Sequence, residues 1–418
     1  MAVFGGRIEK MGNRRVVRHF SKSDIGDRPI IIWGGGLYGE IAYRVITDIW
    51  SGKIEAVVDN KYSRAPWYND DLMRSEKLRE YSNADILICA ANAFRTIYEA
   101  IGSLGEDIRV FDLRDILTEY KKYYEKSDVP VQSPYLYGDI DLDEICLRYN
   151  YYAGEDNGYC DKIYLPYCVL CITTKCSLRC KNCAAFITHY KPQKDYSLEY
   201  IKKNFGLLLD VLDGIQELEL MGGEPFLHNE FDDILQWCIE QEKIHAVKIV
   251  TNGTIMPKES TWQIMTNNKV KLVIDNYGKL SRALETMVLH ARESGVRYEE
   301  QNLQKWYQLE PVVRKNITEE GLKNIYHNCN FRTCIGMTNG RFYHCNVAGH
   351  MNTVGLLTDQ ESDYVELENQ EWNKEELRNI IREFLAIDYL KACDYCNYPE
   401  NVEIPVAEQV MERMGNET

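Results

Sequence analysis

The chain has 418 residues, 45% of them hydrophobic and 27% charged, which is room for two or three domains with buried cores and too apolar for a disordered chain. Lys plus Arg is 49 against 64 Asp plus Glu, a net charge of −15, so general binding to nucleic acid or an anionic membrane is excluded as an expectation. No apolar run approaches the roughly 20 residues of a membrane span, and the basic residues 1–20 lack the apolar core of a secretory signal, so a cytoplasmic location is expected.

The first elements read as strand, glycine turn, helix. Pro29 precedes the apolar run 30–33, then Gly34, Gly36 and Gly39 stand in G-x-G-x-x-G spacing before a helical stretch over 40–49. A second strand over 54–58 ends in Asp59, and strands over 85–90 and 109–113 follow with helical material between them. This alternation predicts a Rossmann-like parallel sheet over 1–120. A pyrophosphate at the helix N-terminus and ribose hydroxyls on Asp59 would suit a nucleotide, a nucleotide-sugar or NAD. Only about four strands fit, so a scaffold or docking domain is the alternative. Residues 121–167, rich in Tyr, Asp, Gly and Pro, read as a connector that packs rather than floats.

From 168 the alternation resumes. Strands are expected over 169–173, 215–220, 246–250, 270–274 and 296–299, with helices over 197–212, 230–241 and 280–293. Such repeats predict a partial α/β barrel with its chemistry at the C-terminal ends of the strands. The tail after 406 reads as a fraying helix.

Fourteen cysteines without an oxidising context point to metal rather than disulfides. Cys89, Cys146, Cys160 and Cys238 are scattered and read as buried thiols, as do Cys168 and Cys171 within a strand. Cys176, Cys180 and Cys183 form C-x3-C-x2-C directly after the 169–173 strand. Three thiolates leave one position of an iron–sulfur cubane open, a site for binding something reactive. A zinc loop or an inert cysteine cluster is the rival reading. Gly222, Gly223 and Glu224, before Pro225, end the next strand; the glycines permit close backbone approach and Glu224 offers an acceptor for an ammonium group. Thr251 and Asn252, at the end of the following strand, suit a ribose. His228 and Asp275 also fall at strand ends near the presumed cavity, either as substrate contacts or as ordinary polar partners.

A second group follows. Asn339-Gly340 predicts a two-residue hairpin turn, and counting outward places Cys334 opposite Cys345. Cys393 and Cys396 add a C-x2-C chelate, and Cys329 lies just upstream. Five thiols compete for four places, with structural zinc as the alternative to an auxiliary cluster.

Over about 168–300 the chain resembles the radical S-adenosylmethionine (SAM) enzymes. The resemblance implies a [4Fe–4S] cluster on Cys176, Cys180 and Cys183, with SAM on its open iron and its amino group at Gly222, Gly223 and Glu224. It departs from the family at Asn182, where an aromatic residue often stands. The spacing of Cys329, Gly340, Cys345, Cys393 and Cys396 resembles a C-terminal twitch extension, a shortened SPASM domain, which implies an auxiliary [4Fe–4S] cluster. The fold implied is α/β throughout: an N-terminal Rossmann-like parallel sheet (1–120), a connector (121–167), a central partial (β/α)6 barrel (168–305) and a small C-terminal cysteine-rich β-hairpin module (306–418). The chemistry implied is reductive cleavage of SAM to a 5′-deoxyadenosyl radical, fed by a donor such as flavodoxin or ferredoxin. The wording around Cys180 and the 343–350 segment also resemble iron–sulfur oxidoreductases of bacterial surface-glycan assembly. That implies oxidation or epimerisation of a sugar or nucleotide-sugar. The alternatives are a radical SAM peptide maturase and, from another class, a zinc-stabilised binding protein without catalysis.

Overall fold

The computed structural model describes residues 16–126, 142, 145–146, 149, 163–329, 331–332, 334–358, 363–368, 371–400 and 402–410. They form two compact units, one within 9–166 and the other within 167–418.

The first unit is built on five parallel strands: β1 (Val17–His19), β2 (Ile30–Trp33), β3 (Ala56–Val58), β4 (Asn83–Ile88) and β5 (Asp107–Asp112), in the order β1-β5-β4-β2-β3. Residues 30–32 are essentially inaccessible, as a parallel strand covered on both faces requires. β1 precedes the glycine motif and fills the far edge, supplying the fifth strand that counting from residue 30 does not find. Ile145, Cys146 and Tyr149 from the connector lie in this unit's core. The Tyr149 hydroxyl donates to the Ile88 carbonyl at 2.7 Å and accepts from the Leu113 N–H.

The second unit holds an eight-stranded sheet. Its strands are β6 (Tyr164–Thr173), β7 (Gly214–Gly222), β8 (Ile244–Thr251), β9 (Val270–Asp275), β10 (Tyr298–Gln301), β12 (Ile335–Thr338), β13 (Arg341–Tyr343) and β14 (Tyr364–Glu366). A separate pair joins β11 (Trp306–Tyr307) to β15 (Glu403–Ile404). The large sheet runs β10-β9-β8-β7-β6-β12-β13-β14 and resembles a partial barrel. Between β6 and β10 run the helices Leu198–Val211, Phe231–Glu240, Glu259–Met265 and Leu284–Ser294. The expected hairpin is present, Thr338 opposite Arg341, with Asn339 and Gly340 both at positive φ. It does not hang apart: β12 runs parallel to β6, Ile335 beside Cys168, so hairpin and barrel share one sheet.

Alternation sorts the barrel strands into two faces. Leu218, Leu220, Val247, Ile249, Leu272 and Ile274 are fully buried on one. Glu217, Glu219 and Met221, Lys248 and Val250, and Lys271 and Asp275 lie on the other, which therefore carries the charged side chains of these strands. The tail departs from expectation. Residues 402–410 are extended, not helical, because their N–H and C=O groups pair with β11 and with the first cysteine loop. Among the described residues, no helix is long and apolar enough to cross a membrane.

Candidate active site

Three strand ends build the site. Gly222 and Gly223 let the end of β7 lie against the chain leaving β6. A Cβ on Gly222 would stand 2.1 Å from the Thr173 carbonyl oxygen, and one on Gly223 2.1 Å from that of Lys175. Two main-chain bonds lock this contact, Gly223 N–H to Thr173 at 3.0 Å and Glu224 N–H to Lys175 at 2.8 Å. The loop carrying Cys176 is thereby pinned beside Glu224.

The Glu224 carboxylate is fully buried and held by its neighbours. It accepts from the Thr251 hydroxyl (2.9 and 3.0 Å), the Asn252 N–H (3.0 Å) and the Phe226 N–H (3.2 Å). Burial outweighs these bonds and raises its pKa to about 7. The Thr251 hydroxyl and the Asn252 main-chain N–H thus hold Glu224. The Asn252 amide reaches the other way, to the Ser177 hydroxyl (3.2 Å) and the Cys176 sulfur (3.6 Å).

Cys176, Cys180 and Cys183 share one apolar setting with Leu178, Tyr277, Leu280 and Trp306. Each thiol lies within electrostatic reach of the others. Burial pushes Cys176 up to about 12, Cys180 up to about 11, and Cys183 upward as well. Among the described residues the charges felt by these thiols are acidic ones, so the trio fits a group that brings its own positive charge, as cluster iron does. Among the described residues no three His, Cys, Asp or Glu side chains are arranged to hold a single ion. Asn182 serves elsewhere, its side-chain oxygen accepting from the Leu309 and Glu310 N–H groups.

Below the thiols stands a layer that spacing alone does not reveal. Tyr277 donates to the Asp275 carboxylate at 2.8 Å and feels the charges of Cys180 and Cys183. Burial raises Asp275 to about 6. Deeper on the same face, Lys248 pairs with Glu219 (2.7 Å) and Glu217 (3.3 Å), and Tyr167 donates to Glu219. His228 is not part of this layer. Its ring bonds the Tyr196 carbonyl and accepts from the Glu230 N–H, which makes it a loop fastener.

The second cysteine group divides unevenly. Cys393 is coupled to Cys345, Cys396 and Cys329, and Cys345 to Cys329 and Cys396. Cys334 reaches Cys345 but otherwise faces Glu219, Lys248 and Cys168. Cys329 is felt by Cys345, Cys393 and Cys396 alike, whereas Cys334 feels Cys345 of this group. Cys89, Cys146, Cys168, Cys171 and Cys238 are buried thiols, as expected; Cys160 lies outside the described residues.

In the first unit Gly34 (φ 130°) would bring a Cβ within 2.9 Å of the Ala90 nitrogen, and Gly39 within 2.0 Å of the Gly34 oxygen. Gly36 faces open space at the start of the helix Leu37–Arg44. Asp59 accepts from the N–H groups of Gly35 (2.8 Å), Lys61 (2.7 Å) and Tyr62 (3.0 Å), so it clamps the glycine loop itself.

Residues 170–273, which hold the three thiols and the Gly222-Gly223-Glu224 strand end, match the model of the Radical SAM superfamily. Over 105 residues the chain is 31% identical to the antilisterial bacteriocin subtilosin biosynthesis protein AlbA of Bacillus subtilis (strain 168), covering 25% of this chain and 22% of that protein. Over 88 residues it is 31% identical to a GTP 3′,8-cyclase of Synechocystis, covering 21% and 26%. The chain therefore spans about a quarter of the length of the curated relatives it matches. Among solved structures it is similar to BtrN in complex with AdoMet and 2-DOIA (17% identity, TM-score 0.37, 59% of this chain and 97% of that one). It is also similar to Streptococcus suis SuiB bound to precursor peptide SuiA (17%, TM-score 0.28, 45% and 44%).

Proposed function

We propose that this chain is a radical SAM oxidoreductase that oxidises or epimerises a sugar or sugar-like polyol. The observation that carries the reading is the Asp275–Tyr277 pair: Tyr277 packs with the three thiols, and Asp275 feels the charges of Glu219, Lys248 and Glu299. Cys176, Cys180 and Cys183 would hold a [4Fe–4S] cluster and Glu224 the amino group of SAM. Cluster and SAM together supply radical abstraction of hydrogen from an unactivated C–H bond, which acid–base side chains cannot perform. Glu224 acts as a fixed anionic acceptor, its lone pairs aimed by Thr251, Asn252 and Phe226. Asp275, with a pKa of about 6, stands ready to take the proton of a substrate hydroxyl. Cys329, Cys345, Cys393 and Cys396 would hold an auxiliary four-iron cluster as a one-electron acceptor.

The charged face of these strands carries Glu217, Glu219, Asp275 and Glu299 against Lys248 and Lys271. Carboxylates accept from hydroxyl and ammonium groups, and this excess of them repels a pyrophosphate. A free sugar or aminosugar therefore suits this face better than a nucleotide-sugar. A nucleotide or NAD at Gly34, Gly36 and Gly39 is a separate proposal for the first unit, supported by motif spacing alone. The match to AlbA favours a second reading, a peptide maturase.

Anaerobic purification and incubation with SAM and dithionite test the proposal. The enzyme should be brown, carry about eight irons per chain and release 5′-deoxyadenosine. Mass analysis of added sugars should show a loss of two hydrogens or uptake of deuterium. Turnover of peptides and not of sugars establishes the second reading, and a colourless zinc protein defeats both.

A further inference from the structure

The segment 402–410 returns across the second unit to the first cysteine loop. β15 pairs with β11, where Trp306 stands edge-on to Tyr277 at 5.6 Å. Beyond it Ala407 turns at positive φ and buries its methyl group against Leu178 and Cys180. The chain then runs antiparallel to the loop. Lys181 N–H donates to the Glu408 carbonyl and Val410 N–H to the Arg179 carbonyl, both at 2.7 Å. Between them lies Gln409. Its side-chain oxygen accepts from the Arg179 N–H at 2.8 Å, which fixes the orientation of the amide. Its Nε2 then donates to the Ala407 carbonyl at 2.7 Å and to the Cys180 sulfur at 3.1 Å.

We propose that residues 403–410 are a strap over the first cysteine loop, and that Gln409 is a positioning residue whose amide hydrogen bond to the Cys180 sulfur tunes the cluster this loop would hold. The inference rests on the radical SAM reading of that loop. A hydrogen bond to a ligating sulfur draws off electron density and favours the reduced, more negative state. The donor is held at both ends of its amide, so it does not rotate away as the charge changes. The surface pair Lys181–Glu408 is exposed and adds little.

The test is a potentiometric titration of the loaded enzyme, following the electron paramagnetic resonance signal that changes on adding SAM. Gln409→Met removes the donor at similar length, and Gln409→Glu replaces it with a negative oxygen that still accepts from Arg179. At the potential where the wild type is half reduced, the Met variant should show a ratio of reduced to oxidised cluster about two- to tenfold lower, and the Glu variant a ratio at least as low. An unchanged or higher ratio overturns the tuning role. So does failure of both variants to take up the cluster, because Gln409 is then a structural clamp. A wild-type protein with no SAM-responsive signal defeats the cluster reading itself. The strap is tested apart from any cluster, by hydrogen exchange on the metal-free chain. Val410→Pro removes one strap bond and should speed exchange across 178–183; unchanged exchange overturns the strap.

Discussion

Thr251→Val is the sharpest probe of the site, because one hydroxyl bonds both oxygens of the Glu224 carboxylate. A hydrogen bond to a charged group contributes about 1.5–3 kcal/mol, and 1.36 kcal/mol corresponds to a tenfold change in protonation. Removing it should raise Glu224 from about 7 to about 8 or 9. At pH 7.5 the ionised fraction then falls from roughly three quarters to between about a quarter and a few per cent. If the anion is what holds the SAM ammonium, SAM should bind about three- to twentyfold more weakly at pH 7.5. At pH 9 the carboxylate is almost fully ionised in the wild type and at least about half ionised in the variant, so the difference should shrink to within about twofold. Anaerobic equilibrium dialysis with labelled SAM at the two pH values reads both numbers, and Thr251→Ser should bind as the wild type does. Unaltered binding at pH 7.5, or a loss that persists at pH 9, refutes the assignment of Thr251 to Glu224.

Three further outcomes follow from the geometry. Gly223→Ala drives a methyl group into the Lys175 backbone and to 2.7 Å from the Cys176 Cβ, so iron at the first site should be lost while the second site keeps its share; iron analysis with and without added SAM checks this. Cys329→Ser should reduce the iron content from about eight to about four per chain, whereas Cys334→Ser should leave it near eight; the reverse result reassigns the fourth ligand to Cys334. Glu224 is an acid whose folded value lies above its ordinary 4.5, so the folded metal-free chain holds that proton more tightly than the unfolded one. Its contribution is present below about pH 4.5 and is lost as pH rises through about 7, by up to roughly 3 kcal/mol. Urea titrations should show the wild type losing stability relative to Glu224→Gln over that interval and running parallel above it.

What the sequence revealed and what it hid divide by the range of the interactions. The hairpin was legible because Asn339-Gly340 specifies its own turn, and Gly222-Gly223 because only a bare backbone tolerates the approach of Thr173 and Lys175. The work of Thr251 and Asn252 was not legible, since their partner lies 27 and 28 residues away and meets them only when β7 and β8 pair. Counting along the hairpin set Cys334 opposite Cys345 but left open which face each thiol takes. The pairing of β12 with β6 beside it is likewise something a hairpin pattern does not encode. Gln409 is more remote still, 229 residues from the sulfur it meets, in a tail whose composition reads as helix.

The parallel seam between β6 and β12 has a mechanical result. The strand that launches Cys176 is zipped along its flank to the strand that ends the Cys329 and Cys334 segment. The first cysteine loop and the Cys334 segment therefore adjoin neighbouring strands of one sheet. One residue inserted into β6 would shift the launch of Cys176 against β12.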